Sequence, residues 1–314
     1  MSVDVSIIIP TFNRLWSLPR AIESCLSNQC SIEIIVIDDA STDGTAEWLK
    51  TQKNIISIIH PYNLGQTWGI NQAAQIAQGR YIKKLDSDDF IPDGIIDQQL
   101  EVAERDQSDI VISRSDLYYE DQGKVVQCPD AGPWEDFLEI QLGIQYGSHI
   151  NAMLFKREIF QNIPHRPDYS YRDDRLVLLE MGMLQPKISY INICGHYWVQ
   201  HSSQMQANYA GMQSVVANFQ HLKLLKLITE ELKRRNQLTT QRAKAVSENL
   251  WRLSNLIAIT HLQEAKYTVD YLKQINPQFK IQIKGIKGLL FKIFGYEGLN
   301  RILYIFRTFK ILIK

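Results

Sequence analysis

Three carboxylates stand within four positions at Asp86-Ser87-Asp88-Asp89, directly after the short run Tyr81-Ile82-Lys83-Lys84-Leu85. Aspartate is a poor strand residue, and like charges this close repel one another. A cation offsets that cost. Mg²⁺ or Mn²⁺ suits the place, because both prefer one or two carboxylate oxygens together with a phosphate-bearing substrate. Two more polar clusters occupy comparable positions. Asp38-Asp39 closes the apolar run Glu33-Ile34-Ile35-Val36-Ile37, and Thr11-Phe12-Asn13-Arg14 follows Val5-Ser6-Ile7-Ile8-Ile9-Pro10. Further on, Arg172-Asp173-Asp174-Arg175 precedes an apolar helix, where a carboxylate serves either as a general base or as a favourable charge at a helix start.

Near-continuous apolar runs are typical of strands buried on both faces of a parallel sheet. The pattern predicts strands at 5–10, 33–39, 55–59, 80–85 and 109–113. Between them it predicts helices over 17–28 with Ser17 as N-cap, from 45 through 49, over 66–78 closed by Gly79, and after Pro92-Asp93-Gly94. This alternation means βαβ units and a mostly parallel sheet. Ligands of such sheets sit at the carboxyl ends of strands, and three of those ends carry the polar clusters named above. They are expected to form one site.

After residue 115 the regularity weakens. A hairpin is expected around 117–126, a helix over 134–142, and a strand over 151–156 leading into a short helix. An irregular segment over 164–171 delivers Arg172–Arg175, and short strands follow at 188–193 and 197–200. Trp134 suits stacking on a ligand ring and burial in a core equally well. Beyond 206 two long helices are expected, over 211–236 and 240–274, with Pro277 as a break.

The zero formal net charge hides an asymmetry. Residues 1–130 carry 10 Lys/Arg against 20 Asp/Glu, and residues 131–314 carry 24 against 14. The acidic half fits metal binding, and the basic half suits an anionic partner. Cys25, Cys30, Cys128 and Cys194 have neither zinc-type spacing nor the density of a disulfide framework, which favours reduced cytosolic thiols. Neither a signal peptide nor a transmembrane helix is expected. Residues 275–314 hold eight basic residues against Glu297 alone, among many apolar ones, and are split by Gly295 and Gly298. Arg307, Lys310 and Lys314 recur at helical spacing. That composition suits an amphipathic helix lying on an anionic membrane surface, or a helix packed on protein.

Taken in order, the motifs resemble those of family 2 glycosyltransferases, which adopt the nucleotide-sugar-binding fold called GT-A. The resemblance runs from Val5–Arg14 through Glu33–Asp39 with Ser41–Thr45, Asn63-Leu64-Gly65 with Asn71, and Gly79–Asp89, to Asp173-Asp174 and His201-Ser202-Ser203. It covers roughly residues 4–205 and is looser in its later part. It implies an α/β fold with a mixed, mostly parallel sheet flanked by helices. The GT-A domain would span 1–205, with a nucleotide-sugar half (1–115) and an acceptor half (116–205). A helical extension would follow over 206–314, its membrane-associating tail starting near 281. Ile70 and Trp68 depart from the family, which often has a basic and a small residue there.

The resemblance also implies roles. Asp86 would touch ribose or metal, Asp88 would ligate Mn²⁺ or Mg²⁺, and His201 would complete the metal site or contact the diphosphate. Pro10, Thr11, Asn13, Arg14, Asp39 and Asn71 would line the nucleotide. Asp174, rather than Asp173, would be the catalytic base. The expected enzyme is a metal-dependent inverting glycosyltransferase, with a UDP-sugar favoured as donor and a glycan or lipid-linked glycan as acceptor. Its expected place is the cytoplasmic face of a membrane, in surface polysaccharide or lipopolysaccharide assembly, and no nucleic-acid partner is expected. A sugar-nucleotide pyrophosphorylase would need a glycine-rich loop after the first strand, and Thr11–Arg14 has no glycine. A non-catalytic protein of the same fold would not need the intact acidic clusters.

Overall fold

The computed structural model describes residues 2–129, 132–144, 147–202, 204, 211–281, 283 and 285–312, with backbone alone from 306. The chain forms two compact units, Met1–Asn208 and Tyr209–Lys314.

The first unit is built on β1 (Val5–Thr11), all of whose residues are buried. Its alternating side chains feed two cores. Val5, Ile7 and Ile9 join one cluster with Leu18, Ala21, Ile22 and Cys25 of α1 (Leu18–Cys25), while Ile8 joins the other. A buried isoleucine contributes about 1.5–3 kcal/mol relative to an exposed one, so burial on both faces fixes this strand at the centre. β2 (Ile32–Asp38) pairs parallel with β1 on one side. α2 (Thr45–Thr51) leads to β3 (Ile56–Ile59), which pairs parallel with β2 at the sheet edge. α3 (Gln66–Ile76) then precedes β4 (Tyr81–Lys84), which pairs parallel with β1 on its other side. α4 (Ile95–Asp106) leads to β5 (Ile110–Tyr119) and β6 (Lys124–Val126), an antiparallel hairpin.

α5 (Phe137–Gln141), β7 (Met153–Lys156), α6 (Arg157–Asn162), α7 (Asp173–Gly182) and β8 (Ile188–Gln200) complete the unit. The sheet order is β3-β2-β1-β4-β7-β5-β6, with β8 paired to β5. β7 runs antiparallel between β4 and β5, so the sheet is mixed.

Several sequence expectations change. The first helix stops at Cys25, leaving Leu26 exposed, and the Ser17 hydroxyl bonds the Arg14 carbonyl at 3.4 Å instead of capping. Gly79 closes no helix, since α3 ends at Ile76. A Cβ at position 79 would lie 2.4 Å from the Ser6 backbone nitrogen, so glycine is there because β1 passes close by. The helix expected over 134–142 shrinks to α5, because Asp136 caps it by accepting from the Glu139 N–H at 2.9 Å. The two short strands expected at 188–200 are one strand, β8, whose register against β5 slips around Arg114.

The second unit holds α8 (Met212–Arg234), α9 (Thr240–Ile257), α10 (Leu262–Ile275) and α11 (Gly285–Leu312). The single helix expected over 240–274 is broken after Ile257, where the N–H groups of Thr260 and His261 both turn back to the Ile257 carbonyl. α11 is interrupted at Gly295, whose φ is 67°. The Arg307, Lys310 and Lys314 side chains lie outside the described residues, as does Ser203.

Candidate active site

The carboxyl ends of β1, β2 and β4 open onto two adjoining cavities. The first, about 320 Å³, is lined by Pro10, Thr11, Phe12, Ile37, Asp39, Asn63, Gly65, Gln66, Gly69, Ser170 and Tyr171. The second, about 480 Å³, is lined by Asn13, Arg14, Asp86, Ser87, Asp88, Asp89, His149, Asp174, Trp198 and Gln204, and shares Pro10, Phe12 and Gln66 with the first.

The first cavity is apolar with a polar rim. Asp39 accepts from the Leu64 and Gly65 N–H groups, both at 2.8 Å, and from His60 Nδ1 at 3.0 Å. It therefore pins the Asn63-Leu64-Gly65 turn to the end of β2. Its Oδ2 takes one donor, leaving acceptor capacity on a carboxylate that lines the cavity. Thr11 Oγ1 is buried without a hydrogen-bond partner at the same wall. Gly69 lets α3 sit against β2, where a Cβ would lie 2.7 Å from Ile37 Cγ2. Asn13 has a φ of 53° and holds the 41–42 loop, its N–H donating to Ser41 Oγ at 2.7 Å and its Oδ1 accepting from Thr42 at 2.8 Å.

The second cavity is acidic, and the protein supplies cations of its own. Lys84 is fully buried, with Nζ 2.7 Å from Asp86 Oδ1 and 3.4 Å from Asp174 Oδ2. Burial opposes its charge, but Asp174 and Asp86 hold the ammonium protonated well above the ordinary lysine range. Burial likewise works against ionised Asp86, yet Lys84 holds its carboxyl well below the usual range. Asp88 meets Arg14 Nε at 3.4 Å and His201 Nε2 at 3.2 Å, both through Oδ2. Asp89 is different. Burial, with Asp86 and Asp88 adding to it, pushes it up to about 8. It bonds His196 Nε2 at 2.7 Å and the Val199 N–H at 2.9 Å, tying β8 to the acidic loop.

Asp173 and Asp174 open α7 and diverge. Asp173 is buried against His165 Nδ1 at 3.1 Å and Gln66 Nε2 at 3.4 Å. Asp174 faces the acidic cavity, and its Oδ1 is buried with no hydrogen-bond partner. Burial raises its pKa to about 6 against the pull of Lys84. With Oδ1 free of hydrogen bonds, His165 Nδ1 3.8 Å from it and a pKa just below neutral, the ionised carboxylate has the properties of a general base.

Asn71, expected at the nucleotide, lines neither cavity. Its side chain exchanges two hydrogen bonds with the His165 backbone, at 2.7 and 2.8 Å, and so carries the segment that positions Asp173. Sequence reasoning missed Lys84, Asn151, His149 and His165. Asn151 Nδ2 donates to Asp86 at 2.9 Å and to Asp89 at 3.2 Å. Only Lys84 left a readable signal, a lysine inside an apolar strand two residues before a carboxylate.

Two ligands for a divalent ion are offered by Asp88 and His201, and a separate group of three close donor atoms among the described residues is formed by His165, Asp173 and Asp174. Asp88 Oδ2 and His201 Nε2 stand 3.2 Å apart, close to the ~3 Å between adjacent ligands of an octahedral ion bound at about 2.1 Å. His201 Nδ1 is buried without a partner, and the ring is held edge-on by Trp16 at 5.0 Å.

A mostly parallel sheet whose strand ends gather these carboxylates beside an apolar nucleotide-sized cavity defines a GT-A glycosyltransferase. The Glycosyl transferase family 2 model matches residues 6–168, just over half of the 314 residues. The chain belongs to that family and is a glycosyltransferase. An uncharacterized glycosyltransferase of Haemophilus influenzae is 31% identical over 191 residues, covering 57% of this chain and 74% of its own length. The Escherichia coli UDP-Glc:alpha-D-GlcNAc-diphosphoundecaprenol beta-1,3-glucosyltransferase WfaP is 30% identical over 214 residues, covering 65% of this chain and 80% of its own. Staphylococcus aureus TarS 1–349 in complex with UDP-GlcNAc superposes with a TM-score of 0.58 at 16% identity, covering 88% of this chain and 91% of that one. Among the described residues no helix is long and apolar enough to cross a membrane.

Proposed function

We propose that this glycosyltransferase moves a sugar from a UDP-sugar to a hydroxyl of a glycan or lipid-linked glycan, with inversion and with a divalent metal. The observation that carries the reading is Asp174, a carboxylate in the same cavity as Asp86 and Asp88 whose Oδ1 takes no hydrogen bond and has His165 Nδ1 3.8 Å away. Asp174 takes the proton from the acceptor hydroxyl as that oxygen attacks the anomeric carbon. The bond from that carbon to the diphosphate breaks, and its electron pair leaves with the nucleotide. No enzyme nucleophile is needed, so one displacement inverts the centre. Asp88 and His201, with Asp86 beside them, would hold Mn²⁺ or Mg²⁺, whose charge would stabilise the leaving diphosphate. Pro10, Thr11 and Asp39 would receive the base and ribose, and Arg14 would stand over the diphosphate. The similarity to WfaP, a UDP-Glc:alpha-D-GlcNAc-diphosphoundecaprenol glucosyltransferase, supports a UDP donor and a lipid-linked acceptor.

The C-terminal helices fit a peripheral place on the cytoplasmic face of an anionic membrane. Ile286, Leu289, Ile293 and Phe294 of α11 are all more than half exposed, at 80, 59, 62 and 54%, with Lys287 and Lys292 among them. Flotation with phosphatidylglycerol vesicles tests this. Equal binding to phosphatidylcholine vesicles removes the electrostatic part, and no binding to either removes the proposal.

The catalytic reading is tested by thermal shift with UDP, with and without Mn²⁺, and by nucleotide release from a panel of UDP-sugars. A melting rise that needs Mn²⁺ and is lost in Asp88→Ala supports it. Nucleotide release that survives in both Asp88→Ala and Asp174→Ala overturns the site assignment.

A further inference from the structure

A third cavity, about 390 Å³, adjoins the acidic one and shares His149 and Trp198 with it. The three cavities thus form a series. The apolar one joins the acidic one through Pro10, Phe12 and Gln66, and the acidic one joins this one through His149 and Trp198.

The third cavity is walled by aromatic rings held from behind. Trp134 meets Tyr190 edge-on, with ring centres 4.5 Å apart. A Cβ at position 132 would lie 2.2 Å from the Tyr190 ring, so that ring rests on the Gly132 backbone. Trp198 stacks on His149 at 5.5 Å, and His149 stacks on His196 at 5.1 Å. Burial, with His196 adding to it, lowers the His149 pKa to about 4, so the ring is a neutral plate at physiological pH. The polar groups at the wall are already engaged. Ser148 donates to the Ser113 carbonyl at 2.6 Å, Ser115 bonds His196 Nδ1 at 2.9 Å, and Arg114 forks onto Asp116 at 2.7 and 3.0 Å.

Such a wall offers flat apolar faces and little net charge. It suits neither a second diphosphate nor a metal. It suits a ligand with an apolar face and a polar edge, as a pyranose has, with axial C–H groups on one side and hydroxyls around the rim. Its place follows from the series. With nucleotide in the first cavity and the reacting carbon beside the carboxylates, the third cavity receives what lies across the bond being formed.

We propose that this pocket is an acceptor subsite that stacks a neutral pyranose ring on Trp198 and Tyr190. The proposal rests on the reading of the acidic cavity as the transfer site and goes further by naming what the acceptor must present. It implies that the accepting end of the glycan is an uncharged sugar and not a uronic acid or a phosphate-bearing residue.

The test measures binding, so it does not depend on catalysis. Octyl β-glucoside, octyl β-galactoside, octyl N-acetyl-β-glucosaminide and octyl β-glucuronide are titrated below their micellar range into the full chain loaded with UDP and Mn²⁺. Tryptophan fluorescence and saturation-transfer NMR are the readouts. At least one neutral glycoside is expected to bind saturably through its ring protons. Its affinity should fall at least tenfold in Trp198→Ala and Tyr190→Ala, and much less in Trp198→Phe. UDP affinity should stay within twofold in Tyr190→Ala, whose residue lines the third cavity alone, and circular dichroism with an unchanged melting temperature shows that the Trp198 variants are folded. Absence of saturable binding by every neutral glycoside, preference for the glucuronide, contact through the octyl chain alone, or affinity indifferent to both alanine variants each overturns the proposal. Failure of UDP to bind the wild-type chain would instead overturn the transfer-site reading.

Discussion

Replacing Lys84 by methionine keeps the length of the side chain and removes the charge between Asp86 and Asp174. The ammonium lies 3.4 Å from Asp174 Oδ2. At an effective dielectric near 20, that separation corresponds to a raw attraction of about 5 kcal/mol. Asp86 shares the same cation and water reaches the outer edge of Asp174, so the realised effect falls in the usual range of about 1–3 pKa units for one close opposite charge. The Asp174 pKa, near 6 with Lys84 present, should therefore rise to about 7–9. A base works only when ionised. The acid limb of kcat/KM, which reports the free enzyme, should move up by the same amount. Activity at pH 7 should fall about 2- to 100-fold and recover towards pH 9. The assay is nucleotide release from the best UDP-sugar, measured from pH 5 to 9.5, with Lys84→Arg as the variant that restores the charge. An acid limb that stays in place in Lys84→Met while the protein remains folded would refute the coupling. A uniform loss at every pH would show that Lys84 only shapes the loop.

Three further outcomes test other parts of the account. Gly79→Ala puts a methyl 2.4 Å from the Ser6 nitrogen in the central strand, and should cost at least about 2 kcal/mol in denaturant titration. Lys83 is fully buried on neutral partners, Gln99 Oε1 at 3.1 Å and the Asn151 carbonyl at 2.9 Å, and burial lowers its pKa to about 7. Unfolding returns it to about 10.4, so between those values the unfolded chain binds the extra proton and stability from this group rises with pH. Lys83→Met should flatten that rise, and an unchanged slope of stability from pH 7 to 10 counts against it. Asn71→Ala removes both hydrogen bonds to the His165 backbone, a loss of about 1–3 kcal/mol. It should lower kcat through Asp173 and Asp174 while leaving UDP affinity intact, and a selective loss of UDP affinity would return Asn71 to the nucleotide.

The parts of this protein readable in its sequence are those written locally. Val5–Pro10 and Glu33–Asp39 announce buried parallel strands because no polar face interrupts them, and their ends announce a site because carboxylates stand where apolar runs stop. The sequence pattern divides β8 into two short strands, at 188–193 and 197–200, with Gly195 between them. In the fold, a Cβ at position 195 would lie 1.7 Å from Ser113 Oγ, so the glycine marks close strand contact. Asn71 misled for a related reason. An asparagine near a nucleotide motif looks like a ligand contact, and only the fold shows its amide spent on a segment 94 residues away. Asn151 gains its meaning from Asp86, 65 residues away, and His165 from Asn71, 94 residues away, while Lys84 pairs with its neighbour Asp86 in view of the sequence but with Asp174, 90 residues on, only in the fold.

Asn151 shows what such a site permits over evolutionary time. Its amide nitrogen holds Asp86 and Asp89, its carbonyl takes Lys83, and its side-chain oxygen lies 3.5 Å from Lys84. Two acids and two lysines thus share one neutral hub. Groups in such a network do not vary independently, because each substitution changes the background in which the next is judged. A lineage that exchanges Lys84 for a neutral residue removes much of the benefit of retaining Asn151, and the order of substitutions decides which routes stay open. Diversification is therefore expected to proceed by sparing this knot and varying the aromatic walls beyond it, where a ring can be traded without unbalancing any charge.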